Sequence, residues 1–219
     1  MRKNPHKGLF IVFEGLDGSG QSTQANLLNS RLVDDGYATL LTKEPTNNII
    51  GGLIRGQLTH DWTANMECLQ LLFAADRAHH LFREILPALK DSRIVVCDRY
   101  FMSTVAFGSI ELERDWLLEL NKKFIYPDAV FLLKVPPKIC IQRMQESRFE
   151  MELFEREEKL KKVWSGFEYL AQKFTNVYVI DGTQSRAQIS GEILEITKKI
   201  LKKKNLAQKI NLFDEKNIQ

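Results

Sequence analysis

The chain has 219 residues, 44% of them hydrophobic, enough to bury one substantial core and to favour a single domain over residues 1–219. Its 31 basic and 28 acidic residues leave a formal net charge of +3, too balanced for a protein that holds nucleic acid by neutralising its backbone. Cys68, Cys97 and Cys140 lack C-x-x-C spacing and so support neither a disulfide framework nor a zinc site. The longest apolar run, GLFIVF at 8–13, is too short to span a bilayer, and no signal-peptide stretch opens the chain. The expectation is a cytoplasmic protein with small partners, no nucleic acid and no membrane.

Short apolar runs alternate with stretches of helical period. GLFIVFE (8–14), YATLLT (37–42), RIVVCD (93–98), DAVFLLKV (128–135) and NVYVID (176–181) read as strands, and their unbroken apolar character fits a parallel sheet covered on both faces. Between and after them, 21–35, 64–90, 111–124, 137–146, 153–174 and 185–203 carry apolar residues three and four apart, the spacing that buries one stripe of a helix. Strand and helix alternate throughout, so right-handed crossovers predict an open α/β sheet that binds ligands beyond the strands' carboxyl ends. The polar stretch from about 204 to 219 reads as a loose tail.

Between the first predicted strand and helix stands EGLDGSGQST, residues 14–23, which follows the phosphate-loop pattern G-x-x-x-x-G but continues with Gln-Ser in place of Lys-Ser. Gly15, Gly18 and Gly20 permit the backbone angles by which N–H groups converge on a phosphate, and the following helix offers its positive end. Ser22 can place its hydroxyl on a magnesium ion. The ATP-binding candidates are therefore Gly15, Leu16, Asp17, Gly18, Ser19, Gly20, Gln21, Ser22 and Thr23.

FIVFEGLDGSGQSTQ resembles the opening of the thymidylate kinases, Phe-Glu-Gly-x-Asp-Gly-x-Gly-Lys-Ser-Thr, and further motifs follow in order. TKEPT (42–46) resembles the family's Thr-Arg-Glu-Pro, LLFAADRAHH (71–80) its Phe-x-Ala-x-Arg helix, and VVCDRYFMSTVAF (95–107) its Asp-Arg-Tyr segment. ELFEREEKLKKVWSGFEYLA (152–171) is similar to the helix after its lid, which falls at about 143–152 here. The resemblance, covering roughly 8 to 200, implies a P-loop NTPase fold of three αβα layers around a mostly five-stranded parallel sheet. It also implies an ATP- and magnesium-dependent kinase converting dTMP to dTDP, and a homodimer.

Phosphoryl transfer between two anions is mainly alignment and charge neutralisation, which calls for arginines facing the acceptor phosphate. By similarity Arg99 grips that phosphate, and Asp98 with Ser22 orients the metal and its waters. Phe73 and Arg77, four apart on one helix face, match the pair that stacks on a pyrimidine and binds its carbonyl or phosphate, and an arginine there does not suit a core position. Asp17 corresponds to the carboxylate that meets the acceptor's 3′-hydroxyl. Phe107 would lie near the sugar, and Lys43 and Pro45 belong to the acceptor side by the same resemblance.

The chain departs from the family pattern at four places. Lys43 replaces an arginine and loses its bidentate geometry, Thr46-Asn47 replaces a glycine pair, and Gly108 stands where bacterial members often carry a base-reading glutamine. Gln21 matters most: a neutral amide donates hydrogen bonds but cannot neutralise charge, an interaction worth about 4 kcal/mol for two unit charges about 4 Å apart at an effective dielectric near 20. Gln21 thus joins Asp98, Arg99 and Arg148 among the candidate catalytic positions, Arg148 because the lid supplies an arginine in bacterial members, with Arg156 second. Two other readings stay open: a catalytically impaired nucleotide-binding relative, favoured by Gln21, and a kinase for another nucleoside monophosphate, favoured by Lys43 and Gly108.

Overall fold

The structure, a computed structural model, describes residues 1–145 and 153–206. The expected lid lies outside them from 146 to 152, and the expected tail from 207 onward. In chain order the elements are β1 (Arg2–Lys3), β2 (Leu9–Gly15), α1 (Gln21–Asp34), β3 (Thr39–Lys43), α2 (Ile49–Leu58), α3 (Met66–His80) and a π-helical stretch (Leu81–Ile85). Then come α4 (Leu86–Lys90), β4 (Ile94–Asp98), α5 (Phe101–Gly108), α6 (Arg114–Asn121), β5 (Ile125–Tyr126), β6 (Ala129–Lys134), α7 (Pro137–Gln145), α8 (Leu153–Lys173), β7 (Val177–Asp181) and α9 (Arg186–Lys204).

Five strands form one parallel sheet in the order β3-β4-β2-β6-β7, and β1 pairs with β5 in a small parallel ribbon beside it. Period-two alternation sends Phe10 and Val12 of the central strand to a core completed by Phe101, Val105, Val163 and Phe167. Leu9, Ile11 and Phe13 face the opposite core, with Leu28, Leu32, Ile189 and Ile193. Burial on both faces is why the strands read as continuous apolar runs. The result is the expected three-layer αβα sandwich with five parallel strands, each within two residues of its expected bounds.

Two helices escaped the periodic reading. Helix α2 contains Gly51, Gly52 and Gly56, which weaken a helical pattern. Gly51 is there for close approach, since a Cβ would stand 1.9 Å from the Thr46 carbonyl oxygen. Helix α5, FMSTVAFG, is aromatic and β-branched and has no side-chain cap of its own. Its amino end is instead held by the Glu14 carboxylate of β2, which accepts from Tyr100 N at 3.0 Å and Ser103 N at 3.2 Å. The single helix expected over 64–90 is interrupted by the π-helical stretch, with Pro87 following in α4.

The register brings the carboxyl ends together. Lys43 lies opposite Asp98, and Asp98 opposite Phe13. The turns after β2, β3 and β4 therefore open on one edge of the sheet, where an α/β fold places its ligands.

Candidate active site

At the end of β2 the chain turns through Gly15–Gly20 into α1. Gly18 has φ 80°, and a Cβ there would stand 2.5 Å from the Cys140 carbonyl oxygen, so only glycine suits the position. Gly20 caps α1 in the left-handed region and supplies no side-chain acceptor, whereas α2, α3 and α9 are capped by Asn48, Asn65 and Ser185. The first N–H groups of α1 are thus left for another acceptor, and the helix dipole adds positive potential at the same point. Arg143 braces the loop from outside, donating to the Ser19 carbonyl at 3.3 Å and to the Gly182 carbonyl at 3.0 Å.

Gln21 does not project from this loop. It is buried, and its Oε1 accepts from Ser19 Oγ at 3.2 Å, which leaves the amide nitrogen as the end that can donate to a phosphate oxygen. A lysine would bring a full positive charge to the position, which this amide lacks.

Ser22 Oγ donates to Asp98 Oδ2 at 2.5 Å, joining the first turn of α1 to the end of β4. Asp98 Oδ1 is buried and has no hydrogen-bond partner among the described residues. Two hard oxygens side by side, one carrying an unused lone pair, suit magnesium, which takes one or two protein oxygens and completes its shell with water and phosphate. Among the described residues no group of three or more His, Cys, Asp or Glu side chains could hold a metal, so a tighter all-protein cage is absent there.

Beside the loop lies a cavity of about 450 Å³ whose lining includes Asp17, Pro45, Phe73, Arg77, Arg99 and Phe107, six of the expected acceptor-side residues. Arg99 follows β4 in the left-handed region, at φ 70°, a conformation that costs a non-glycine residue about 1–3 kcal/mol and is met at functional sites. Its guanidinium donates to Asp17 Oδ1 at 2.6 Å, to the Gly15 carbonyl at 3.2 Å and to Ser103 Oγ at 3.0 Å, and lies 5.5 Å from the centre of the Phe107 ring. Lys43, the seventh, is exposed at the end of β3 and is not among the residues lining the cavity.

Arg77 overturns the expectation that an arginine does not suit a core position. It is fully buried, because Glu44 sits beside it: Nε donates to Glu44 Oε2 at 2.9 Å and Nη2 reaches the same oxygen at 2.7 Å. Nη2 also donates to Thr104 Oγ1 at 2.9 Å, Nη1 donates to Asn121 Oδ1, and the guanidinium stacks 4.9 Å over Tyr100. A charge buried with its counter-charge and hydrogen bonds is tolerated where a lone one is not. His80 completes the cluster, 3.1 Å from Glu44 Oε1 and 2.7 Å from Thr42 Oγ1.

Several residues of the site had no foothold in the sequence reading. Glu14, Ser103, Thr104 and Lys159 lie inside the motif segments without a role being read for them, and Gln70 belongs to no motif, though it lies three residues before Phe73, the spacing of a shared helix face. Thr46, in place of a glycine, is fixed by Asp76, which accepts from Thr46 N at 2.8 Å and Thr46 Oγ1 at 2.6 Å. Burial pushes the Glu14 carboxyl up to about 7, against the hydrogen bonds of Ser103 and the charge of Arg99, which pull it down. Burial also holds the Cys97 thiol far above its ordinary range, with Glu44 adding to it. Arg148 and the Arg156 side chain lie outside what is described.

A glycine loop between the central strand and an uncapped helix, on a five-stranded parallel sheet with an arginine-lined cavity alongside, defines a P-loop nucleotide-binding fold. A family model described as thymidylate kinase matches residues 13–193. A probable thymidylate kinase of Pyrococcus horikoshii is 37% identical over 198 residues, covering 88% of this chain and 97% of its own. The thymidylate kinase of Aster yellows witches'-broom phytoplasma is 36% identical over 203 residues, covering 88% and 98%, and that of Leptospira interrogans 36% over 193, covering 87% and 94%. The chain belongs to the thymidylate kinase family.

Proposed function

We propose that the protein transfers the γ-phosphoryl group of ATP to dTMP, yielding dTDP and ADP. The observation that carries this reading is the meeting of two sites at Asp17 and Arg99: the phosphate loop leaves the same sheet edge that supports the acceptor cavity, so two phosphate chains can lie end to end. The backbone N–H groups of Gly15–Thr23 and the amino end of α1 neutralise the donor's phosphates, and Arg99 holds the acceptor's phosphate group. Phe73 and Phe107 line the space for base and sugar. Ser22 and Asp98 would hold the magnesium ion of the ATP complex, which supplies further neutralisation of the β- and γ-phosphate charge. Arg148 makes good the positive charge missing at Gln21.

A second reading, a family member that binds nucleotides without turning them over, is favoured by the Gln21 amide folded into its own loop. A coupled ADP-release assay with ATP, magnesium and dTMP, dUMP, dCMP, UMP, CMP or dGMP separates the readings. The proposed function predicts dTMP as preferred by at least about tenfold in kcat/KM. No ADP release with any acceptor supports the second reading, and preference for another base moves the substrate.

The three free cysteines support the proposed setting in the cytoplasm. A homodimer is supported by an exposed apolar surface on α2, α3 and the π-helical stretch: Ile49, Leu53, Leu71 and Phe82 are 86%, 46%, 50% and 71% exposed. Sedimentation of the wild type and of Phe82→Lys tests it: dimer and monomer, respectively, are expected, and a wild-type monomer contradicts it.

A further inference from the structure

Glu14 is fully buried at the end of the central strand, one residue before the phosphate loop, and no arginine among the described residues pairs with it directly. Its Oε1 holds the amino end of α5 through Tyr100 N and Ser103 N, and its Oε2 accepts from Ser103 Oγ. Ser103 Oγ in turn accepts from Arg99 Nη1 at 3.0 Å. A serine hydroxyl has one proton to give. Donated to Glu14, it leaves a lone pair facing the guanidinium.

We infer that Glu14 is a positioning residue for Arg99, acting through the Ser103 hydroxyl to hold the guanidinium in the plane that meets the acceptor's phosphate group. The inference rests on the reading of Arg99 as that group's ligand. Among the described residues the Arg99 guanidinium has three anchors: the Gly15 carbonyl, the Asp17 carboxylate and Ser103 Oγ. Asp17 is on a side chain 55% exposed and free to leave for a ligand, so it does not fix the fork once substrate is bound. Ser103 does, because the carboxylate beneath it dictates which way the hydroxyl points. This polarity belongs to the ionised carboxyl, which burial disfavours and Ser103 and Arg99 favour, so the relay is in place above about pH 7. The Cys97 thiol, held neutral by burial, and Leu132 of β6, opposite Glu14 in the ladder, carry no charge.

Glu14→Gln keeps the shape and reverses the polarity. With the amide oxygen retained by the two backbone N–H groups, the amide nitrogen faces Ser103 Oγ as a donor and turns the hydroxyl proton toward Arg99, donor against donor. Ser103→Ala removes the relay without touching the buried strand. The test is a double-mutant cycle at about pH 8, read by calorimetric dTMP affinity, with kcat and the KM for ATP from ADP release alongside. Each single variant is expected to weaken dTMP binding about tenfold, with kcat at saturation and the KM for ATP within about twofold, and the double variant to be no weaker than Ser103→Ala alone. Losses that add, or a Ser103→Ala protein that binds dTMP as wild type does, overturn the inference. A wild type that binds dTMP without turning it over counts against the proposed function, while the binding cycle still decides the role of Glu14.

Discussion

Arg77 on α3 and Arg99 in the turn between β4 and α5 line the same cavity, and the structure treats them in opposite ways. Arg77 is sealed, with Glu44 as direct counter-ion, Thr104 and Asn121 as further acceptors and an aromatic ring beneath. Arg99 is part-exposed, its main-chain angles are strained, and its strongest partner is an exposed aspartate. The first is satisfied without a ligand; the second is held ready by contacts that an incoming phosphate can replace. A cavity between a finished ion pair and an unfinished one has a rigid wall and a working wall.

The largest expected effect breaks the rigid wall. Arg77→Ala leaves Glu44 buried without its counter-charge and should cost about 3–5 kcal/mol in stability by denaturant titration; a loss below about 1 kcal/mol would show that the pair does not support the fold. Glu14 tests the opposite case, a buried carboxylate with no arginine paired to it among the described residues. A carboxyl displaced from 4.5 to about 7 binds its proton more tightly folded than unfolded, so its stabilising contribution is complete below about 4.5 and is lost as pH rises through about 7. That displacement amounts to on the order of 3 kcal/mol. The difference in unfolding free energy between wild type and Glu14→Gln, followed from pH 5 to 8, should therefore move in favour of the variant as pH rises, and a flat difference rules this out.

On the working wall, Arg99→Ala should lower kcat/KM for dTMP about a hundredfold, about 2.7 kcal/mol, while melting within a few degrees of wild type. Loss of fold rather than of activity would erase the contrast with Arg77. Arg148 sharpens it with a third arginine: Arg148→Ala should cost about a hundredfold in turnover and leave dTMP binding near wild type, and a loss below about threefold sinks its proposed compensation for Gln21. The smallest effect is that of Thr104→Val, which removes one acceptor of Arg77 and should cost about 1 kcal/mol in stability.

The same contrast explains what the sequence could disclose. The strands and the glycine loop were legible because their causes are local: apolar runs for buried strands, glycines for positive φ, a helix pattern after the turn. Arg99 and Asp98 were legible as a strand-end motif. Arg77 was placed on the right helix but judged unfit for the core, since the residues that admit it, Glu44, Thr104 and Asn121, come from three other segments and no spacing announces them. Helix α5 was hidden for a related reason, its cap being a glutamate of β2. What the sequence withheld is the side-chain pairing across elements that burial makes possible.

The central claim is that this chain moves a phosphoryl group without the loop lysine. Its most direct test is the turnover of dTMP by wild type and Gln21→Lys, side by side with ATP and magnesium. Robust wild-type turnover that the lysine changes by less than about threefold is the predicted result. A wild type that releases no ADP until the lysine is restored would contradict the account, leaving a kinase fold whose natural form only binds.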